Sequence, residues 1–293
     1  MKQHVPDPVK RIVHYGSRGY GRLTAERRLL PSFLICGGQR CGTTSLYRAL
    51  AAHPAILKAV LHKGVHYFDV GYDRGMSWYR GHFPTQRAAD RISERLGVPV
   101  QTFESSPYYM YHPHAVRRIV RDLPEVRLLV LIRDPVERAA SHHAHEVARG
   151  FESEPNLARA LALEPIRLRG VYERLLADPR HYSFEHQHHA YRGRGEYVTY
   201  LQRMADLIGR DRIHVVDSAE FFADPVPVYD EVLAFLGLRR PDEMGVAYPR
   251  FERHNAAPHK RMPRWLQEEL TAYFEPFDTA LSRWLGREPS WRW

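Results

Sequence analysis

Residues 35–50 read "ICGGQRCGTTSLYRAL": an apolar end, two glycines, then a hydroxyl-rich run that passes into spaced apolar positions. The phosphate-binding pattern G-x-x-x-x-G-K-[ST] is almost met, since Gly37 and Gly42 frame the turn. Thr43 and Thr44 follow at once, however, where a lysine would stand, and the cation is Arg40 inside the turn. Upstream, "SFLIC" (32–36) is a short apolar run; downstream, "TTSLYRALAAHP" sets Leu46, Ala49 and Leu50 at helical spacing before Pro54. The reading is strand, glycine loop, helix. Such a junction aims backbone N–H groups and the positive helix end at an anion, and Thr43, Thr44 and Ser45 can add hydroxyl donors.

Working outward, "VRLLVLI" (126–132) is an apolar run apart from Arg127, of the kind buried on both faces of a parallel sheet. "RDPVERAASHHAHEVA" follows, and its Asp134-Pro135 pair can open a helix. A third apolar run, "RIHVVD" (212–217), comes after the amphipathic segment "YVTYLQRMADLIG". Alternating strands and helices predict one α/β domain over residues 31–293, a central parallel sheet flanked by helices, with ligands at the C-terminal strand ends. Residues 1–30 read as a basic N-terminal arm. The Arg- and His-rich stretch 149–195 reads as helices and loops laid over one face, and "PRWLQEELTAYFEPFDTALSRWLG" as an amphipathic pair of helices.

Composition narrows the partners. With 43 Lys+Arg against 34 Asp+Glu the net charge is +9, which favours phosphate, sulfate or carboxylate ligands. The basic residues are scattered among acids without a block, which argues against nucleic acid. The two cysteines, Cys36 and Cys41, form no disulfide framework and suggest a reducing, cytoplasmic setting. No signal-peptide h-region or membrane-length apolar run is expected.

At the end of the second apolar strand, a nucleotide hydrolase would need an acid free for magnesium. Asp134 lies between Arg133 and Pro135, where it more naturally caps the next helix. The strand end therefore offers a cation. Arg133 can grip a phosphate bidentately, and Ser141, about two helical turns on, can donate to the same group.

"GGQRCGTTSL", "LLVLIRDPVERAASHHAHE", "HKGVHYFD" and "GMSWYRGHFP", in order, resemble the sulfotransferases that use 3′-phosphoadenosine-5′-phosphosulfate (PAPS), specifically the heparan sulfate and carbohydrate branch. The resemblance implies a P-loop-kinase-like sulfotransferase fold, PAPS as donor with adenosine 3′,5′-bisphosphate as product, and no required metal. It places the 5′-phosphosulfate on Gly38, Gln39, Arg40, Cys41, Gly42, Thr43, Thr44 and Ser45, with Arg40 beside the bridging oxygen. It places the 3′-phosphate on Arg133 and Ser141, and, through "HKRMPRWLQEEL", on Lys260 and Arg261; by spacing alone the last two are an ordinary solvated pair.

Two positions depart from that pattern. Relatives carry an acid two residues before the His of "HKGVHYFD", and it often serves as base; Gly64 stands here. His66 with Asp69 can take the role, or they can be a satisfied histidine and a cap, and Lys63 can contact the sulfate. In "TFESSPYYMYHP", Ser105 stands where many members hold lysine. Glu104 is then a second candidate base or the partner of a pocket arginine. The histidines of "SHHAHE" and "HYSFEHQHHAYRGRG" suit a polar acceptor-binding surface better than a metal. Expected acceptors are small molecules, glycans or lipid-linked groups offering a hydroxyl or amine. A P-loop kinase or hydrolase, or a PAPS-binding protein without turnover, are the alternatives.

Overall fold

A computed structural model describes residues 19–60, 62–254 and 262–292. Five strands form one sheet: β1 (Phe33–Gly37), β2 (Ile56–Lys58), β3 (Gln101–Ser105), β4 (Arg127–Ile132) and β5 (Ile213–Asp217). Their order is β2-β3-β1-β4-β5 and every pairing is parallel. The apolar runs behave as their composition demands: β1 is buried at every position and β4 from Leu128 onward. β2 and β3 were not among the expected strands. β2 is a three-residue edge, and β3 buries Thr102, Glu104 and Ser105 instead of an apolar run.

The order fixes where a ligand can sit. From β1 the chain moves to one side, through β2 and β3, and then crosses back to β4 and β5 on the other. The crevice between the ends of β1 and β4 is thus the point where the strand order reverses, the usual ligand site of open α/β sheets. Register sharpens this. Ile132 of β4 pairs with Asp217 of β5, so Arg133 and Ser218 emerge together on one rim.

Helix α1 (Thr43–Ala51) follows the β1 loop, and α2 (Pro135–Ala148) follows β4. Asp134 caps α2 as expected, accepting from the Val136 N–H at 2.9 Å, with Pro135 in the first turn. Helix α3 (Tyr197–Ile208) precedes β5, and α4 (Ser218–Ala223) follows it. The stretch 149–195 holds helices Leu157–Arg167, Val171–Ala177 and Phe184–His188, in line with expectation.

The expected C-terminal pair is instead one helix, α5 (Arg264–Leu285), with Pro276 inside it. Proline forfeits one backbone hydrogen bond and crowds the carbonyl a turn earlier. The buried face Leu266, Leu270, Phe274 and Leu281 runs past Pro276 on both sides, and packing keeps the helix continuous. Residues 19–30 lie on the domain: Gly21 meets Gly81, and the Arg28 guanidinium donates to the Phe83 carbonyl at 2.6 Å. Among the described residues no helix is long and apolar enough to cross a membrane.

Candidate active site

The β1 loop turns into α1 through Gly42, whose φ of 85° is the left-handed conformation that favours glycine. A Cβ there would also lie 3.0 Å from the Ser218 hydroxyl oxygen. No side chain caps α1 and no acid occupies its first turn, which leaves the helix start to an anion. Arg40 takes a φ of 68° and its Nε donates to Ser141 Oγ at 3.1 Å. Arg40, Gly42, Thr43, Thr44, Arg133 and Ser141 all line one cavity of about 520 Å³. Burial lowers the Arg40 pKa, and the charge of Arg133 lowers it further. Two guanidinium groups facing one space repel each other and favour an anion between them.

The remaining loop residues have other work. The Gly38 N–H donates to the Leu131 carbonyl, and the Cys41 carbonyl accepts from Ser218 Oγ at 2.5 Å. The Cys41 thiol is buried against the Tyr197 hydroxyl, and burial raises its pKa. Ser45 Oγ accepts from the His254 N–H at 3.0 Å and so ties segment 251–254 to α1. Gln39 points away from the cavity. Its side-chain nitrogen donates to Glu146 at 3.1 Å and its oxygen accepts from Arg194. Lys260 and Arg261 lie outside the described residues.

Lys63 to Asp69 form a second strip, laid across the end of β3. Lys63 Nζ donates to Thr44 Oγ1 at 2.9 Å and Thr43 Oγ1 at 3.3 Å, joining this strip to the β1 loop. Burial lowers the Lys63 pKa to about 8, against the opposing charge of Glu104, and Arg48 lowers it further. His66 Nδ1 lies 2.7 Å from Asp69 Oδ2, and the histidine side chain is 40% exposed while the aspartate is closed off. An Nδ1 proton held by Asp69 leaves Nε2 with the lone pair. Burial works to lower the His66 pKa, but the charge and hydrogen bond of Asp69 outweigh it and hold it above its ordinary 6.5.

Glu104 is fully buried, one residue below the rim. Its carboxylate accepts from the Val65 N–H at 3.2 Å, Ser106 Oγ at 2.7 Å and the Tyr109 hydroxyl at 2.6 Å. Among the described residues its hydrogen-bond donors are hydroxyls and a backbone N–H, and no arginine pairs with it. Burial raises its pKa in spite of them. Gly64 has a spatial reason: a Cβ there would lie 2.5 Å from the Ser105 carbonyl oxygen. With this backbone the position takes no side chain, acidic or otherwise. Beside Asp69 opens a second cavity of about 360 Å³, walled by Tyr108, His112, Arg118 and Tyr182 among others.

The histidine clusters correct an expectation. His142, Glu146 and His186 are buried, and His188 is mostly so. Glu146 gathers His142 at 3.4 Å and His188 at 2.9 Å beside Gln39. These residues form an internal network that anchors the β1 loop to the 149–195 stretch, whereas His181, Tyr182 and Ser183 of the second cluster line the cavity beside Asp69. The network's one sequence signal was the i, i+4 spacing of His142 and Glu146. Arg253, His254, Phe222, Ser290 and Trp291 also line the 520 Å³ cavity and carried no spacing signal.

An α/β domain that gathers cations and a helix N-terminus where the strand order reverses is built to hold a polyanionic donor. Comparison with known proteins makes the class specific. The sulfotransferase-domain family profile matches residues 30–253, and the chain belongs to that family. It is 29% identical to heparan sulfate glucosamine 3-O-sulfotransferase 6 of Mus musculus, over 90% of this chain and 75% of that protein. It is 28% identical to the mouse bifunctional heparan sulfate N-deacetylase/N-sulfotransferase 4, over 71% of this chain but 22% of that protein. A crystal structure of a sulfotransferase from Alicyclobacillus acidocaldarius superposes with a TM-score of 0.66 at 30% identity, covering 90% of this chain and all of that one. The protein is therefore a sulfotransferase, an enzyme that moves a sulfuryl group.

Proposed function

We infer that the donor is PAPS and that the acceptor is a hydroxyl or amine of a carbohydrate-like molecule. The observation that carries the donor is the meeting of Arg40 with Ser141 at 3.1 Å in a cavity that Arg133 also lines. One loop and one strand end thereby offer cations and hydroxyls to the two phosphate-bearing ends of a single nucleotide. At about 520 Å³ the cavity has the size of a nucleotide site. PAPS supplies an activated sulfuryl group on a phosphate leaving group. Arg40 and the α1 start stabilise charge on the departing oxygen, and Arg133 with Ser141 hold the 3′-phosphate. Lys260 and Arg261, on the resemblance, join them there.

The protein has little covalent work in such a transfer; it aligns the groups and takes a proton. We assign the proton to His66 Nε2, with Asp69 fixing the ring. The half-exposed ring supports this choice over Glu104, which is sealed beneath the strip with its oxygens engaged. Lys63, bonded to both loop threonines, is placed to face the sulfuryl oxygens. The aromatic cavity beside Asp69 suits the faces of a sugar ring, and the names of the heparan sulfate relatives support that acceptor class. The free, buried thiols of Cys36 and Cys41 support a reducing, cytoplasmic setting as part of the same reading.

The test is incubation with sulfur-labelled PAPS and a panel of oligosaccharides, phenols and lipid head groups. Labelled product with a glycan is expected, with thermal stabilisation by adenosine 3′,5′-bisphosphate exceeding that by ATP and magnesium. Stabilisation by magnesium-ATP alone would move the donor reading to a kinase. Tight bisphosphate binding with no transfer to any acceptor would mark a binding protein.

A further inference from the structure

The family match ends at residue 253, yet the far C-terminus enters the donor cavity. Ser290 and Trp291 form part of its wall, with Phe222 of α4. Two carboxylates hold the turn in place. Asp217, the last residue of β5, accepts from the Ser290 N–H and Oγ, each at 2.9 Å. Asp278 of α5 accepts from Trp291 Nε1 at 2.9 Å. Both are buried, at 1% and 7% exposure. The only polar atom of the Trp291 side chain is thus engaged by the protein, and what the residue offers the cavity is ring carbon.

Phe222 is placed by equally specific contacts. A Cβ at Gly42 would lie 3.1 Å from its ring, so it stands against the β1 loop, and the Arg253 guanidinium covers it at 4.5 Å. Trp291 sits toward the other corner: its ring lies 6.3 Å from that of Tyr197, whose hydroxyl donates to the Arg133 carbonyl. One cavity therefore combines an anion-binding set with two aromatic rings. A nucleoside bisphosphate has the same division, charged groups on a sugar and one flat base.

We propose that Trp291 is a base-recognition residue of the donor site, offering its ring to the purine with Phe222 as the second aromatic wall. The C-terminal turn is then part of the nucleotide site. This rests on the donor reading above, and it adds a residue that lies outside the family-matched segment.

The experiment titrates the full chain and its Trp291→Ala, Trp291→Phe and Phe222→Ala variants with adenosine 3′,5′-bisphosphate and with a ribose bisphosphate lacking the base. Trp291→Ala is expected to weaken the adenosine ligand about 10- to 100-fold while changing the base-free ligand by less than about 3-fold. Trp291→Phe should keep most of the affinity yet lose ligand-induced quenching of tryptophan emission, a readout that survives if the alanine variant does not fold. Equal loss of both ligands would make the turn merely structural; loss of neither, or unchanged quenching in Trp291→Phe, would equally overturn the proposal. A wild type that binds neither ligand sinks the donor reading itself and this assignment with it.

Discussion

Among the described residues, Arg40 and His66 are the two that take positive φ without being glycine, and they are held there by different means. Arg40 sits in a turn whose curvature is local, framed by Gly38 and Gly42 and finished by Ser141. His66 owes its position to distant chain: its N–H donates to Ser106 Oγ, Val65 donates to Glu104, and Tyr67 to the Tyr109 hydroxyl. Each such backbone conformation costs about 1–3 kcal/mol and persists only where surroundings over-determine it. The donor half of the site thus starts from one local motif that Arg133 and Ser141 complete, while the proton-accepting half is a property of how a strip rests on β3.

The comparison breaks most sharply at His66. His66→Ala should lower kcat about 10²- to 10⁴-fold while bisphosphate affinity stays unchanged, because it removes the base and leaves the loop alone. Retained kcat, measured by labelled transfer, would move the base elsewhere. Next in size, Arg133→Ala should weaken bisphosphate binding about 10- to 100-fold by calorimetry, through loss of charge-assisted hydrogen bonds.

Glu104→Gln sharpens the contrast. It should destabilise the protein by about 1–3 kcal/mol in denaturant unfolding, since the amide cannot accept all three donors, while the folded fraction still transfers sulfate. Loss of turnover with unchanged stability would instead make Glu104 the base. The smallest effect is in pH. Activity should rise as pH climbs through the His66 pKa, which Asp69 holds above 6.5, because only the neutral ring accepts a proton. It should fall above about 8 as Lys63 loses its charge. A profile flat across that range would remove both groups from the reaction.

The same contrast explains what could be read in the sequence. β1, its glycine loop, β4, the Asp134 cap and β5 announce themselves through local pattern, so the fold class and the anion site were legible. β3 was not: "QTFES" has no apolar run, and it is a strand because tertiary partners satisfy its polar groups, Thr102 Oγ1 donating to the Leu57 carbonyl at 2.5 Å and Glu104 taking three donors. The scaffold role of Glu104 was hidden for the same reason. Gln39, Glu146 and Arg194 meet across more than a hundred positions, and Trp291 reaches the cavity only because Asp217 and Asp278 draw it in. No spacing rule reports such contacts.

The reversal of strand order between β1 and β4 has a mechanical side. β2, β3 and β1 come from residues 33–105, β4 and β5 from residues 127–217, and the donor cavity straddles the seam between these halves. On the proposed donor reading, a bisphosphate held by Arg40 on one side and Arg133 on the other would act as a rivet across the middle of the sheet. Occupancy at a hundred times Kd would add about 2.7 kcal/mol to the cohesion of the whole domain.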